Sequence, residues 1–213
     1  GSPEDFLRLK QEIQSLPDDD GYPRVYVGAE ANIRGISGAL DIPPAVAEEL
    51  DILIAGLHPY TWPATWQDGR ELFLQNSLRH LGRKQREKAV NNNTKATVEA
   101  LYQNPRLDIL SHPGLFFNVD IIEVARACVD NGVLFEINCG HEYPSVSDIM
   151  EAEKTGVDFV VNSDAHFQAS VGQLDYGEKA LQKLGLDEDR VANRVNGGGF
   201  RKWGKKSKGC TYL

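Results

Sequence analysis

The chain has 213 residues, 41% of them hydrophobic, and a mass of 23.6 kDa, which is enough for one α/β domain with a sizeable core. Its formal net charge of −8 argues against general binding to nucleic acids or anionic membranes, because such binding needs excess Lys and Arg. No apolar run approaches the roughly 18 to 20 residues of a membrane span, and the start lacks the pattern of a signal peptide. We therefore expect a soluble, cytoplasmic protein.

Short apolar runs that are rich in β-branched residues predict buried strands at 24–28, 51–57, 107–110, 133–137 and 157–161. Helical patterns occur between and around them, at 4–15, 94–103, 119–131, 145–155 and 170–184. Strands that alternate with helices predict a parallel sheet or barrel, with catalytic residues at the C-terminal ends of the strands.

No internal repeat or linker divides the chain, so we predict a single domain over residues 1–213. Two segments depart from the alternating pattern. The first is an insertion at 59–93 with an aromatic start and a basic run, and the second is a glycine-rich and then basic tail at 197–213. Within the insertion, Arg79, Arg83 and Lys84 either approach a substrate phosphate or form a solvated helix face.

Side chains that can bind metals follow the predicted strands in chain order. These candidate catalytic and metal-binding residues are Glu30, His58, His112, Asp164 and His166. Each alone is more often structural than ligating, but their recurrence at strand ends predicts that they meet at one mouth. Two imidazoles and a carboxylate are a common zinc set, and mixed nitrogen and oxygen ligands also suit manganese or iron. His80 lies in the basic run, off any predicted strand, and we expect it to have no metal role.

Five motifs surround these residues: Gly-Ala-Glu-Ala-Asn-Ile at 28–33, Ile-Ala-Gly-Leu-His at 54–58, Ile-Leu-Ser-His-Pro-Gly at 109–114, Leu-Phe-Glu-Ile-Asn at 134–138 and Asn-Ser-Asp-Ala-His at 162–166. Their ordered set resembles the PHP (polymerase and histidinol phosphatase) family, most closely its small stand-alone phosphoesterases. The resemblance implies a distorted seven-stranded βα barrel whose mouth holds up to three divalent metals, such as zinc, manganese or iron. It implies that Glu30 bridges two metals and that His58 and His112 complete one of those sites. Asp164 would then belong to the other, and His166 to a third.

The chain departs from the family pattern at its start. The family opens with a His-x-His-Thr strand and a later Thr-Asp-His motif, whereas no histidine precedes His58 here. We therefore expect the first strands of the barrel to be missing from this chain. A barrel left open in this way has unpaired edges that favour pairing with another chain. A site with fewer ligands would also make this chain alone a poor catalyst.

The function that these features favour is metal-dependent hydrolysis of a small phosphorylated substrate by a metal-activated water. The sequence contains neither a Gly-x-Ser-x-Gly elbow nor a Walker-type loop. Two alternatives stay open: a polymerase-associated module that processes nucleic-acid ends, and a non-catalytic scaffold. The acidic charge argues against the first of these, and the retained ligand-type residues argue against the second. His141 is a candidate substrate contact.

Overall fold

The fold is built on a parallel sheet of five strands, seen in a computed structural model that describes residues 3–16 and 25–194. The strands are β1 (Gly28–Asn32), β2 (Ile52–Gly56), β3 (Ile109–Leu110), β4 (Leu134–Asn138) and β5 (Phe159–Asn162). Their order in the sheet follows their order in the chain, and every neighbouring pair is parallel. Because the order never reverses, each crossover moves on by one strand, as in βα barrels and unlike doubly wound sheets.

The predicted α/β class with a parallel sheet is confirmed, and the sheet is compatible with part of a barrel. The seven strands that the family resemblance implies are not seen among residues 3–16 and 25–194, which form five. No helix in these two ranges is long and apolar enough to cross a membrane. The predicted tail at 197–213 lies outside the described residues.

The core of the sheet is apolar on both faces, which is typical of parallel strands covered by helices. All five residues of β4 are buried. Phe135 of β4 and Phe159 of β5 pack edge to face, with their ring centroids 5.9 Å apart. This packing joins the two strands that end at Asn138 and Asn162.

Helices follow most strands and cover the sheet. Those of six or more residues are α1 (Pro3–Gln14), α2 (Pro44–Glu49), α5 (Arg83–Gln103), α6 (Ile121–Asn131), α7 (Val146–Glu153) and α8 (Asp175–Leu184). Local sequence sets their ends. For example, Asp120 caps α6 by accepting a hydrogen bond from the Glu123 amide at 3.0 Å, and α6 stops at Gly132, whose φ of 60° is left-handed.

A helical segment between β2 and α5 consists of α3 (Trp66–Asp68), a π-helical turn at Gly69–Leu74, α4 (Gln75–Ser77) and a 3-10 turn at Leu78–Leu81. It is joined to α5 by a buried pair of amides. The Asn76 and Asn93 side chains donate to each other's oxygens at 2.6 and 3.0 Å, and Asn93 also donates to the Asn118 carbonyl at 2.9 Å. The pair therefore connects this segment to the loop that follows β3.

Several predicted boundaries differ from the structure: for example, the helix predicted at 170–184 begins at Asp175, and the strand predicted at 107–110 is Ile109–Leu110. The helix predicted at 94–103 begins at Arg83, so the later part of the 59–93 segment is the first half of α5. The first strand, predicted at 24–28, runs from Gly28 to Asn32 instead. A β-carbon on Gly28 would lie 2.8 Å from the Ile52 carbonyl oxygen, so close pairing with β2 requires glycine there. The small residues that follow, such as Ala29 and Ala31, carried little strand signal.

Candidate metal centre

Three side chains from three consecutive strands converge at the C-terminal edge of the sheet. The Glu30 Oε1 atom lies 3.2 Å from Nε2 of His58 and 3.3 Å from Nε2 of His112. The two imidazole nitrogens are 3.2 Å apart. Among the residues that the structure describes, these three form the one set of three or more His, Cys, Asp or Glu side chains close enough to hold a metal ion together. We call this set the triad.

The parallel sheet explains why the triad meets. Glu30 lies on β1 opposite Ile54 of β2, so its side chain reaches the end of β2, and His58 follows that strand two residues after Gly56. His112 follows β3 at the same edge. Gly56 makes the meeting point possible, because a β-carbon there would lie 2.8 Å from His58 Cε1 and 3.2 Å from both Glu30 Oε1 and His112 Cε1.

The spacing of the triad fits a metal ion. Zinc held tetrahedrally by bonds of about 2.0–2.1 Å has ligand atoms about 3.3–3.4 Å apart. The three observed separations of 3.2, 3.2 and 3.3 Å lie close to those edges. One oxygen and two nitrogens also form a ligand set that accepts several divalent metals. The triad is therefore a candidate metal-binding site that supplies three of the four ligands of a tetrahedral ion.

Within the triad, Glu30 and His112 shift each other's pKa. Burial opposes ionisation of Glu30, but hydrogen bonds from His112 and His58 outweigh it and hold the pKa of the carboxyl well below its ordinary 4.5. Burial likewise opposes the charged form of His112, yet its hydrogen bond to Glu30, together with the charges of Glu30 and Glu136, raises the pKa of His112 above 6.5. Without metal, Glu30 and His112 therefore each favour the charged form of the other.

The backbone at His112 is strained. Its φ is 27°, a left-handed conformation that side-chain-bearing residues rarely adopt. Its amide donates to Glu136 Oε2 at 2.7 Å, which helps to hold this conformation. Asp164 has a similar conformation, with a φ of 47°. Backbone strain of this kind is concentrated at functional sites.

Asp164 and His166 lie at the end of β5, outside the triad. The Asp164 Oδ2 atom accepts a hydrogen bond from Asn138 Nδ2 at 3.1 Å and lies 3.5 Å from Nε2 of His141. The His166 side chain is 71% exposed, and its Nδ1 lies 2.9 Å from the Asp164 carbonyl oxygen. His141 connects the two groups, because its ring centroid lies 6.0 Å from that of His112.

Phe116 forms an apolar wall beside the imidazoles. Its ring centroid lies 5.6 Å from that of His58, 5.3 Å from that of His112 and 6.0 Å from that of His141. An apolar shell of this kind limits solvent access to a metal site and lowers the local dielectric constant. Nδ1 of His58 is buried without a hydrogen-bond partner in the described part of the chain, so Nε2 is the nitrogen of His58 with polar neighbours.

The loop after His58 presents aromatic side chains to solvent. Tyr60, Trp62 and Trp66 are 95%, 85% and 93% exposed. The loop backbone is nevertheless well anchored, because Arg34 Nε donates to the Trp62 carbonyl at 2.9 Å and the buried Asp68 carboxylate accepts from the Ile36 amide at 2.8 Å.

The basic residues of the insertion make local contacts. Arg79 donates to the Asn76 carbonyl at 3.0 Å. Arg83 pairs with Glu87 at 2.7 Å on an exposed face of α5, where Lys84 is also exposed. His80 is exposed on the 3-10 turn. These contacts do not bring Arg79, Arg83 or Lys84 to the triad, so their approach to a phosphate stays a prediction.

Sequence reasoning identified the triad but missed the polar residues behind it, Glu136, Asn138 and Asn162. These residues end β4 and β5 within motifs that were recognised. The alternation of side chains along a strand was the available signal, because it places Glu136 and Asn138 on one face of β4. Gly56 gave no signal, since its role depends on a contact between strands.

Comparison with known proteins adds a functional class. No protein-family model matches the chain. The chain is 29% identical over 190 residues to a protein of Thermoanaerobacter sp. (strain X514), an alignment that covers 85% of this chain and 68% of that relative. That protein and the other relatives of this chain described below are named as probable phosphatases.

Two further probable phosphatases show the same degree of similarity. The one from Caldanaerobacter subterraneus is 30% identical over 190 residues, covering 85% of this chain and 66% of the relative. The one from Clostridium acetobutylicum is 30% identical over 176 residues, covering 78% and 62%. The chain thus spans about two thirds of the length of these relatives. The similarities support a phosphatase family.

Proposed function

We propose that this chain carries the metal centre of a metal-dependent phosphoesterase that hydrolyses a small phosphorylated molecule. The observation that carries the proposal is the triad, whose donor atoms lie 3.2 to 3.3 Å apart. The relatives named as probable phosphatases support the type of reaction. The organisation of the triad argues against a scaffold without metals, and no observation favours the processing of nucleic-acid ends.

Each triad residue has a defined role in this proposal. A bound divalent metal would lower the pKa of a water ligand towards 7 and polarise the phosphoryl oxygens. Glu30 supplies a negative charge at any pH near neutrality, because its pKa is lowered. His58 and His112 supply nitrogen ligands through Nε2, and three protein ligands leave one position for water or substrate. Zinc, manganese and iron all suit this donor set.

Asp164 and His166 are proposed to serve neighbouring metal positions, as the PHP resemblance implies. The Asp164 carboxylate is held in place by Asn138 and lies beside His141, close to the triad but not part of it. His141 is half exposed there, which suits a contact with the phosphorylated substrate. A second metal near Asp164 would help to hold the attacking and leaving oxygens of an in-line displacement.

The test is to measure bound metal and phosphate release for matched variants. His112→Ala and Glu30→Gln each remove one triad ligand, whereas His80→Ala removes an exposed imidazole on the 3-10 turn at Leu78–Leu81. After dialysis against Zn²⁺ or Mn²⁺, the wild type and His80→Ala should retain equal metal, and both ligand variants should lose it. Hydrolysis of p-nitrophenyl phosphate should fall by more than about 100-fold in the ligand variants, since outer-shell changes alone cost 10- to 100-fold.

Two outcomes would contradict the proposal. One is metal retention by His112→Ala equal to that of the wild type. The other is phosphate release that persists when a chelator has removed the metal. Metal content is measured separately from phosphate release, so the metal result can be interpreted even if this chain hydrolyses the substrate slowly.

A further inference from the structure

Glu136 is a buried carboxylate that lies behind the triad and is not one of its members. The residue is 3% exposed and lies on β4, between β3 and β5 in the sheet. Its two oxygens accept four hydrogen bonds, from the Ser111 hydroxyl at 2.9 Å, the His112 amide at 2.7 Å, Asn138 Nδ2 at 3.2 Å and Asn162 Nδ2 at 2.8 Å. No salt bridge in the described part of the chain includes Glu136. These hydrogen bonds, together with the nearby His112 imidazole, therefore compensate for the burial of the carboxylate.

The first link from Glu136 leads to a triad ligand. The Ser111 hydroxyl and the His112 amide both donate to the same oxygen, Oε2. His112 has a left-handed φ of 27°, so these two bonds hold a backbone that would otherwise relax. Relaxation of the backbone would swing the imidazole away from Glu30 Oε1, which now lies 3.3 Å from it.

The second link leads to Asp164. The Asn138 amide group donates to Glu136 Oε2 at 3.2 Å and to Asp164 Oδ2 at 3.1 Å, so one NH₂ group joins the two carboxylates. Asn138 is 1% exposed, and its own oxygen accepts from the His141 amide at 2.9 Å. Asn162 adds a third connection, from β5 to Glu136 Oε1. One carboxylate thus connects the ends of three strands.

We propose that Glu136 is a positioning residue that orients His112 directly, and Asp164 through Asn138, for binding of divalent metal. The inference rests on the proposed metal centre and adds to it a residue that contacts no metal. A buried charge is costly, and a neutral side chain could fill the same space. A carboxylate is the group that can accept all four donors at once, because both of its oxygens are acceptors.

The variant Glu136→Gln tests this role because it keeps the shape of the side chain but replaces one acceptor oxygen with an NH₂ donor. That donor must face at least one of the groups that now donate to Glu136. Glu153→Gln, on the exposed surface of α7, is the matched control. Affinity for Co²⁺ is measured by competition with a chelator, and the absorption spectrum of bound Co²⁺ reports the geometry of its ligands.

We expect Glu136→Gln to bind Co²⁺ about 10- to 100-fold more weakly than the wild type, with an altered spectrum. Glu153→Gln should match the wild type in both. A folded Glu136→Gln protein with wild-type affinity and spectrum overturns the inference while leaving the proposed function intact. A wild-type chain that binds no Co²⁺ overturns both.

If circular dichroism shows that Glu136→Gln does not fold, Ser111→Ala becomes the deciding variant. It removes one donor and keeps the carboxylate, so the buried charge stays in place. Loss of one such hydrogen bond should weaken Co²⁺ binding by about two- to tenfold. Unchanged binding in Ser111→Ala would then overturn the inference.

Discussion

Replacement of Gly56 by alanine would insert one methyl group into the space where the triad meets. The added carbon would lie 2.8 Å from His58 Cε1 and 3.2 Å from both Glu30 Oε1 and His112 Cε1. Favourable carbon–carbon contacts lie at about 3.5–4.0 Å, so the His58 ring would have to move by about 0.7 Å or more. Functional constellations tolerate displacements of only about 0.5 Å.

We therefore expect Gly56→Ala to weaken Zn²⁺ binding by at least about tenfold, or about 1.4 kcal/mol. The metal-free protein should lose only about 1–3 kcal/mol of stability, the usual cost of overpacking. Chelator competition well below the melting temperature separates the two effects. Gly69→Ala is the matched control, because its β-carbon would lie no closer than 3.3 Å to Pro63 Cγ and contacts no triad atom. Wild-type Zn²⁺ affinity in a folded Gly56→Ala protein would refute this reasoning.

Two further outcomes are expected. In the metal-free protein, the stabilisation by the Glu30–His112 pair should be complete between about pH 4.5 and 6.5, the ordinary pKa values of the two groups. This stabilisation should decline as the pH rises through the raised pKa of His112 or falls through the lowered pKa of Glu30. The melting temperatures of the wild type and Glu30→Gln are compared across this pH range. A difference between them that stays constant up to about pH 9 would contradict the expectation. We also expect Asp164→Ala to change the metal content of this chain less than His112→Ala does, because Asp164 and His166 alone complete no second metal position. Equal loss of metal in the two variants would argue against that ligand count.

Sequence reasoning located the residues at which a run of apolar strand residues gives way to a polar side chain. His58 and His112 each follow an apolar run, so the parallel-sheet rule was enough to predict that they converge. Glu30 was found through the same rule, although it lies within β1 rather than after it. The predicted strand was misplaced because Val25 and Val27 carry a stronger β signal than the alanines that pair with β2.

The features that could not be predicted depend on distances between separate elements. Nothing local in Asn76 or Asn93 indicates that their amides pair across two helical segments. Similarly, the four donors around Glu136 come from three different strand ends, and a carboxylate in a buried strand is equally compatible with an ion pair. Their identification required the register of the sheet.

The left-handed backbone at His112 and Asp164 has a consequence for engineering. Glycine adopts φ values near 27° and 47° freely, so its introduction there would relieve strain of about 1–3 kcal/mol at each position while it deletes a ligand-type side chain. At His112 that relief offsets part of the stability lost with the Glu30–His112 pair, so the melting temperature alone does not show whether the site survives. Libraries based on this fold should be screened for retained metal as well as for melting temperature, or these two codons should be held fixed.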